Sequence, residues 1–203
     1  MAQGVESIDG RILKQIIKGQ NLKYKLAQKT SDVYSHLKGV TPRGWPEGKT
    51  WDNAGALSYG GKVGLFEKPV DSSRAKPKSN TIRHETGHEL DKVFRKNIGI
   101  RFIETKGFTY AYLKDIKNLP ENMKNCKAKP KEIDSAINYQ IQGSTPQHAT
   151  EAGKSEAFAE TFAMLNGGSA QEAYVKGMDK FYKKAFPNTI EYVKKLLYLM
   201  GKR

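Results

Sequence analysis

The sequence is short of cysteine, of acidic residues and of long apolar runs. A single cysteine, Cys126, stands among 203 residues, which excludes an internal disulfide and any cysteine-rich metal cluster. A metal site must therefore draw on histidine and carboxylate ligands, and the chain has only four histidines. No apolar stretch approaches the roughly 18 residues that cross a bilayer, so no membrane span is expected. The start, Met1-Ala2-Gln3-Gly4-Val5-Glu6, has neither the basic nor the apolar region of a signal peptide. The chain is accordingly expected to be cytosolic, exported by another route, or separated from its leader. Acidic residues number 21 against 35 basic ones, a net charge of +14. That excess points to anionic partners such as nucleic acid, cell wall, acidic lipid or an acidic protein. Lysines at helical spacing, as in Tyr192-Val193-Lys194-Lys195-Leu196-Leu197, are also what a solvated helix face produces.

What is present is a hydrophobic content of 37% with 10% aromatics, enough for one domain with a real core and too short for two. Ile12, Leu13, Ile16, Ile17, Leu22 and Leu26 recur at helical spacing, predicting a helix over 8–28 in an N-terminal helical segment, 1–38. Prolines and glycines make 39–48 a loop. Two short strands, 56–59 and 62–66, flank Gly60-Gly61 and read as a hairpin. Asn80 or Thr81 caps a helix running to about residue 96. Residues 97–150 are insertion-like, with short helices expected at 108–118 and 130–142. A helix at 154–165 stops at Asn166-Gly167-Gly168, and helices at 169–185 and 189–200 are separated at Pro187. The fold class is α+β: a small twisted sheet in the N-terminal half, then a mostly helical C-terminal half, in a single domain over 1–203.

His84-Glu85-Thr86-Gly87-His88 is an HExxH motif inside a predicted helix. Residues four apart share a helix face, so both imidazoles can hold one metal ion, and Zn2+ is the expected one. Glu85 projects off that axis, where a carboxylate takes the proton of an activated water. A catalytic zinc site needs a third protein ligand, and no third histidine follows closely. Glu156 and Glu160 lie one turn apart on an otherwise apolar helix with Phe158, Phe162 and Leu165. Carboxylates on a packing helix are costly unless paired or metal-bound. Glu156 is assigned as third ligand, and Glu160 as the group that holds a ligand imidazole by its other N–H. Asp91, one turn after His88, is a second candidate for orienting a ligand histidine; the alternative is an exposed acid paired with Lys92 or Arg95. Gly153-Lys154-Ser155 ends like a phosphate-binding loop, but His148 stands where that loop's first glycine belongs. His36 is expected to be structural or exposed.

The run His84-Glu85-Thr86-Gly87-His88-Glu89-Leu90-Asp91, with Glu156-Ala157-Phe158-Ala159-Glu160-Thr161-Phe162-Ala163, resembles the anthrax lethal factor catalytic domain and the related Pro-Pro endopeptidases. Thr41-Pro42-Arg43-Gly44-Trp45, Thr50-Trp51-Asp52 and Ala185-Phe186-Pro187-Asn188-Thr189 are similar to other parts of that family. The resemblance implies a zincin-like fold and a gluzincin metallopeptidase, with His84, His88 and Glu156 on zinc and Glu85 as base. Two departures stand out. The family's oxyanion-stabilising tyrosine falls at Ala149 here, leaving His148 or Tyr139 as candidates for that donor. The interval from His88 to Glu156 is also longer, with the excess in the Lys-rich middle.

The function expected is thus zinc-dependent endopeptidase action on a peptide or protein substrate, acidic or proline-containing, with no specific nucleic acid partner. The resemblance further implies a toxin or effector, secreted or delivered into a target cell. The rival is a basic nucleic-acid or cell-envelope binding module with a degenerate metal site, resting on the charge and on the lysines of 124–131. Within the peptidase reading, residues 61–65 are a candidate for running beside the active helix and taking substrate as an added strand.

Overall fold

The first helix ends well before residue 28, and the sheet gains a strand as a result. A computed structural model describes residues 2–42, 45–67, 79–124, 138, 140–142, 150–167 and 178–201. After α1 (Ala2–Glu6), α2 (Gly10–Gln20) buries Ile12 and Ile16. Asn21, in the left-handed conformation (φ 51, ψ 46), then stops it. Residues beyond Asn21 form β1 (Lys23–Ala27), so the helix expected over 8–28 is corrected to end at Gln20, and the N-terminal segment 1–38 is helical only in part. The apolar spacing misled because Leu26 is 58% exposed and belongs to no buried helix face.

The expected hairpin forms from β2 (Ala56–Tyr59) and β3 (Lys62–Phe66). Gly60 (φ 58) and Gly61 (φ 75) both take the left-handed conformation that a two-residue hairpin turn needs. A Cβ at Gly61 would also lie 2.2 Å from the Gln20 carbonyl oxygen. The sheet order is β1-β3-β2, with β1 parallel and β2 antiparallel to β3. β3 is therefore paired on both sides, and residues 61–65 offer no edge to a substrate strand. Among the described residues, the edge of the sheet that packs on the HExxH helix and has no strand partner is that of β2.

The long helix α3 (Ser79–Ile98) carries HExxH. It is followed by α4 (Lys106–Lys117), α5 (Leu119–Met123), α6 (Glu151–Leu165), α7 (Met178–Ala185) and α8 (Pro187–Gly201). The α+β class holds: a three-stranded sheet and a mostly helical remainder. Pro187 opens α8, a position where its missing N–H costs nothing. No described helix is long and apolar enough to cross a membrane.

One aromatic cluster joins these helices. Phe102, Phe108, Tyr112, Phe158, Phe162, Tyr182 and Phe186 are all buried in it, with Tyr182 and Phe186 stacked at 4.9 Å and Phe102 and Phe158 tilted at 5.0 Å. Of the segment 97–150 read as insertion-like, Phe102, Ile103, Phe108, Tyr112, Ile116, Leu119 and Met123 pack into this core, and the helix expected at 108–118 forms within α4. Of the helix expected at 130–142, only 138 and 140–142 are among the described residues, and Tyr112 Oη donates to the Gln140 carbonyl at 2.8 Å.

Asp115 fixes the last helix. Its carboxylate is fully buried and accepts from Asn188 N (3.1 Å), Asn188 Nδ2 (2.6 Å), Thr189 N (2.7 Å) and Thr189 Oγ1 (2.7 Å). These are charge-assisted bonds at a helix N-terminus, where the dipole also favours an anion. Asp115→Ala leaves buried donors without a partner and should cost about 1–3 kcal/mol. A urea titration checks this; an unchanged midpoint would show that α8 is held by packing alone.

Candidate metal centre

Two helices bring the site together because glycine lets them touch. An ideal Cβ on Gly87 would lie 2.9 Å from Ala159 Cα and 3.2 Å from Phe162 Cβ, so α3 and α6 meet at a point where no side chain fits. Gly87 sits between His84 and His88, and Ala159 between Glu156 and Glu160. The crossing therefore sets the imidazoles of one helix against the carboxylates of the other.

His84 Nε2 is 3.1 Å from Glu156 Oε2, and His88 Nε2 is 3.7 Å from Glu156 Oε1. The His84 and His88 rings are edge-on at 4.8 Å. One ligand atom from each of His84, His88 and Glu156 can be chosen so that all lie within 4.8 Å of one another. Donors on a tetrahedral ion with bonds of about 2.0–2.1 Å sit about 3.4 Å apart, so the set is spaced to close on one ion. The far nitrogens are held too. His84 Nδ1 is 3.1 Å from Glu160 Oε2, and His88 Nδ1 is 3.0 Å from Ser155 Oγ. If each Nδ1–H is donated outward, each Nε2 is left free to give its lone pair to an ion beside Glu156, the arrangement a metal-ligating imidazole requires. These residues fit a divalent cation.

The electrostatics agree. Burial works to hold His84 deprotonated, but hydrogen bonds and charges from Glu156 and Glu160 outweigh it and raise its pKa well above 6.5. His88 has the weaker anionic support, and burial takes it down to about 3. The carboxylates thus converge on a point that favours positive charge. Burial pushes Glu85 up to about 7, with Glu156 adding to the rise and His84 and Lys92 opposing it.

Ser58 ties the β2 edge to this helix. In a two-residue hairpin Tyr59 and Lys62 form the hydrogen-bonded pair, so the Ser58 main chain faces away from β3. The Ser58 main chain also favours the charged form of Glu85, against its burial. The Ser58 hydroxyl donates to Glu89 Oε1, which also accepts from Lys92 Nζ at 2.7 Å. Glu89 is fully buried, and its Oε2 has no partner among the described residues.

Of the residues singled out in the sequence, His84, Glu85, His88, Glu156 and Glu160 are brought together. Asp91 touches neither histidine. It is fully buried and pairs with Arg101, not with Lys92 or Arg95, accepting from Arg101 Nε at 2.8 Å and from Ile103 N at 3.0 Å. Arg101 Nη2 also reaches Ser155 Oγ at 3.0 Å, so Asp91 connects to His88 through two intermediaries. Tyr139 and His148 lie outside the described residues. His36 is exposed beside Tyr59, with ring centroids 5.2 Å apart. Sequence reasoning missed Arg101, Ser155, Ser58 and Glu89. Only Ser155, immediately before Glu156, and Glu89, immediately after His88, had a positional signal.

Gly87 provides a test of the crossing. Gly87→Val should force α3 from α6, with overpacking costing about 1–3 kcal/mol. It should also spoil metal uptake although no ligand is changed. Thermal melts in chelator together with metal analysis check both; a variant that melts and binds metal normally would show that the helices are not in close contact there.

Comparison with known proteins shows what the whole chain is similar to. The chain is 36% identical over 102 residues to the Pro-Pro endopeptidase of Clostridioides difficile (strain 630), a match covering 48% of this chain and 46% of that protein. It thus spans about half the length of the curated relative it matches. The solved structure of the Pro-Pro endopeptidase from Paenibacillus alvei shares the fold, with a TM-score of 0.55 over 96% of this chain and 87% of that one at 24% identity. The family model described as anthrax toxin lethal factor, N- and C-terminal domain, matches residues 1–196, and the chain belongs to that family.

Proposed function

We propose that the protein is a zinc-dependent endopeptidase of the gluzincin type. The observation that carries this reading is the pair of imidazoles aimed by Nε2 at Glu156, with both Nδ1 atoms held from behind. His84, His88 and Glu156 would hold the ion, and Glu160 would orient His84. When bound, zinc supplies a Lewis acid that polarises a carbonyl and lowers the pKa of water to about 7. Glu85 takes the proton from the attacking water and delivers it to the leaving amine nitrogen. A carboxylate poised near neutrality suits both halves of that transfer.

The β2 edge is where an extended substrate would pair. Strand pairing uses the main-chain groups of alternate residues, so prolines fit at the positions between. The name of the Clostridioides difficile relative supports a proline-containing target, and the net charge of +14 supports an acidic one. A toxin or effector role, in a secreted or delivered protein, is part of this proposal. For the oxyanion we propose a donor from His148, with Tyr139 the alternative.

The experiment is metal analysis with cleavage of a denatured peptide library, with and without chelator. One zinc per chain and chelator-sensitive cleavage are expected, and absence of zinc after supply would overturn the reading. Glu85→Gln should keep zinc and fold but lower kcat by about 10²–10⁴-fold. Equal rates would give Glu85 another role. His148→Ala should lower kcat by about 10²–10³-fold with zinc retained, and Tyr139→Phe by less. The reverse order would move the donor to Tyr139.

A further inference from the structure

We propose that Arg101 and Ser155 form a positioning relay, in which Arg101, clamped by Asp91, holds the Ser155 hydroxyl against His88 Nδ1 and so presents His88 Nε2 to the metal. The proposal rests on the metal reading above and adds two residues to it.

The relay follows from donor and acceptor capacity. Asp91 lies on α3 one turn beyond His88 and is fully buried. Its Oδ1 accepts the Ile103 N–H at 3.0 Å, and its Oδ2 accepts both Nε and Nη2 of Arg101. A guanidinium held by two nitrogens on one carboxylate has a fixed plane. The same Nη2 reaches Ser155 Oγ at 3.0 Å. Guanidinium has no acceptor, so the serine oxygen must accept there, which leaves it one lone pair and its proton. A neutral imidazole carries one N–H. With Nε2 on the ion that hydrogen sits on Nδ1, and the second Ser155 lone pair, 3.0 Å away, receives it.

Ser155 also directly precedes Glu156 on α6. Fixing Ser155 therefore sets two metal ligands at once, one on each helix. The two histidines are backed differently: Glu160 places a carboxylate behind His84, whereas His88 has a neutral hydroxyl with a cation behind it. A hydroxyl adds less to imidazole basicity than a carboxylate does, so the relay acts on His88 through orientation.

The test is zinc affinity, measured by competition with a chromophoric chelator, beside urea unfolding of the metal-free protein. Ser155→Ala should bind zinc about 10–100-fold more weakly, as losses behind a ligand do. Arg101→Lys keeps a cation beside Asp91 but cannot fork to Ser155, and should lose about tenfold. Cobalt loaded into either variant should show an altered visible spectrum, while the metal-free urea midpoints stay near wild type. Wild-type zinc affinity in Ser155→Ala overturns the relay, as do affinity losses matched by equal losses of metal-free stability. If Ser155→Ala does not fold, Arg101→Lys decides by the same comparison. A wild-type protein that binds no zinc overturns the metal reading and the relay together, whereas wild-type binding with unaffected variants overturns the relay alone.

Discussion

The contact between Gly87 and Ala159 is the constraint on which the site depends. Helix separation is set by the side chains at the crossing, and here one of them is absent. The crossing falls inside both motifs, so the spacing within each helix and the distance between the helices meet at one place. HExxH alone gives two imidazoles on a face, and two carboxylates a turn apart give only an acidic stripe. Their approach makes a three-ligand set from them, and the aromatic cluster around Phe102, Phe108, Phe158 and Phe162 holds that approach in place.

Such a site gathers charge where water is scarce. Glu89 and Asp91 are fully buried, Glu85 is pushed up to about 7, and burial with the nearby Glu85 and Glu89 charges raises Tyr34. The chain answers each anion with a specific partner: Lys92 and Ser58 for Glu89, Arg101 for Asp91, His84 for Glu156 and Glu160. Removing one member of such a buried pair costs more than the pair contributes, because the other charge stays behind in low dielectric. A divalent cation among His84, His88 and Glu156 would relieve the same imbalance, and its binding energy would add to the stability of the folded chain.

What was legible in the sequence was local. HExxH, the Glu156–Glu160 spacing, the Gly60-Gly61 turn and the break at Pro187 are each decided within a few residues, by periodicity or by backbone stereochemistry. What was hidden needed partners far along the chain. Leu22 and Leu26 fit a helical pattern, and only the left-handed Asn21 and pairing with β3 turn Lys23–Ala27 into a strand. Asp91 has basic neighbours in sequence, yet its partner comes from beyond the helix. Residues 102–123 sit in a Lys-rich stretch, yet Phe102, Phe108 and Tyr112 are core while Tyr110 is exposed, because Phe108 and Tyr112 lie on one face of α4 and the lysines on the other.

The same distance effect moved the open edge from β3 to β2, and it changes how the site would handle a substrate. A central strand gives its main-chain groups to two neighbours and has none left for a third. Among the described residues no strand pairs with the other row of β2, and Ser58 stands on that row. Its main chain favours the charged form of Glu85, while its hydroxyl is anchored to Glu89 on the same helix. In the peptidase reading, the strand that would align the peptide is therefore fastened to the helix that carries the residue that would move the proton. Register along β2 and the position of the base are then one geometric variable, set by the Ser58–Glu89 contact.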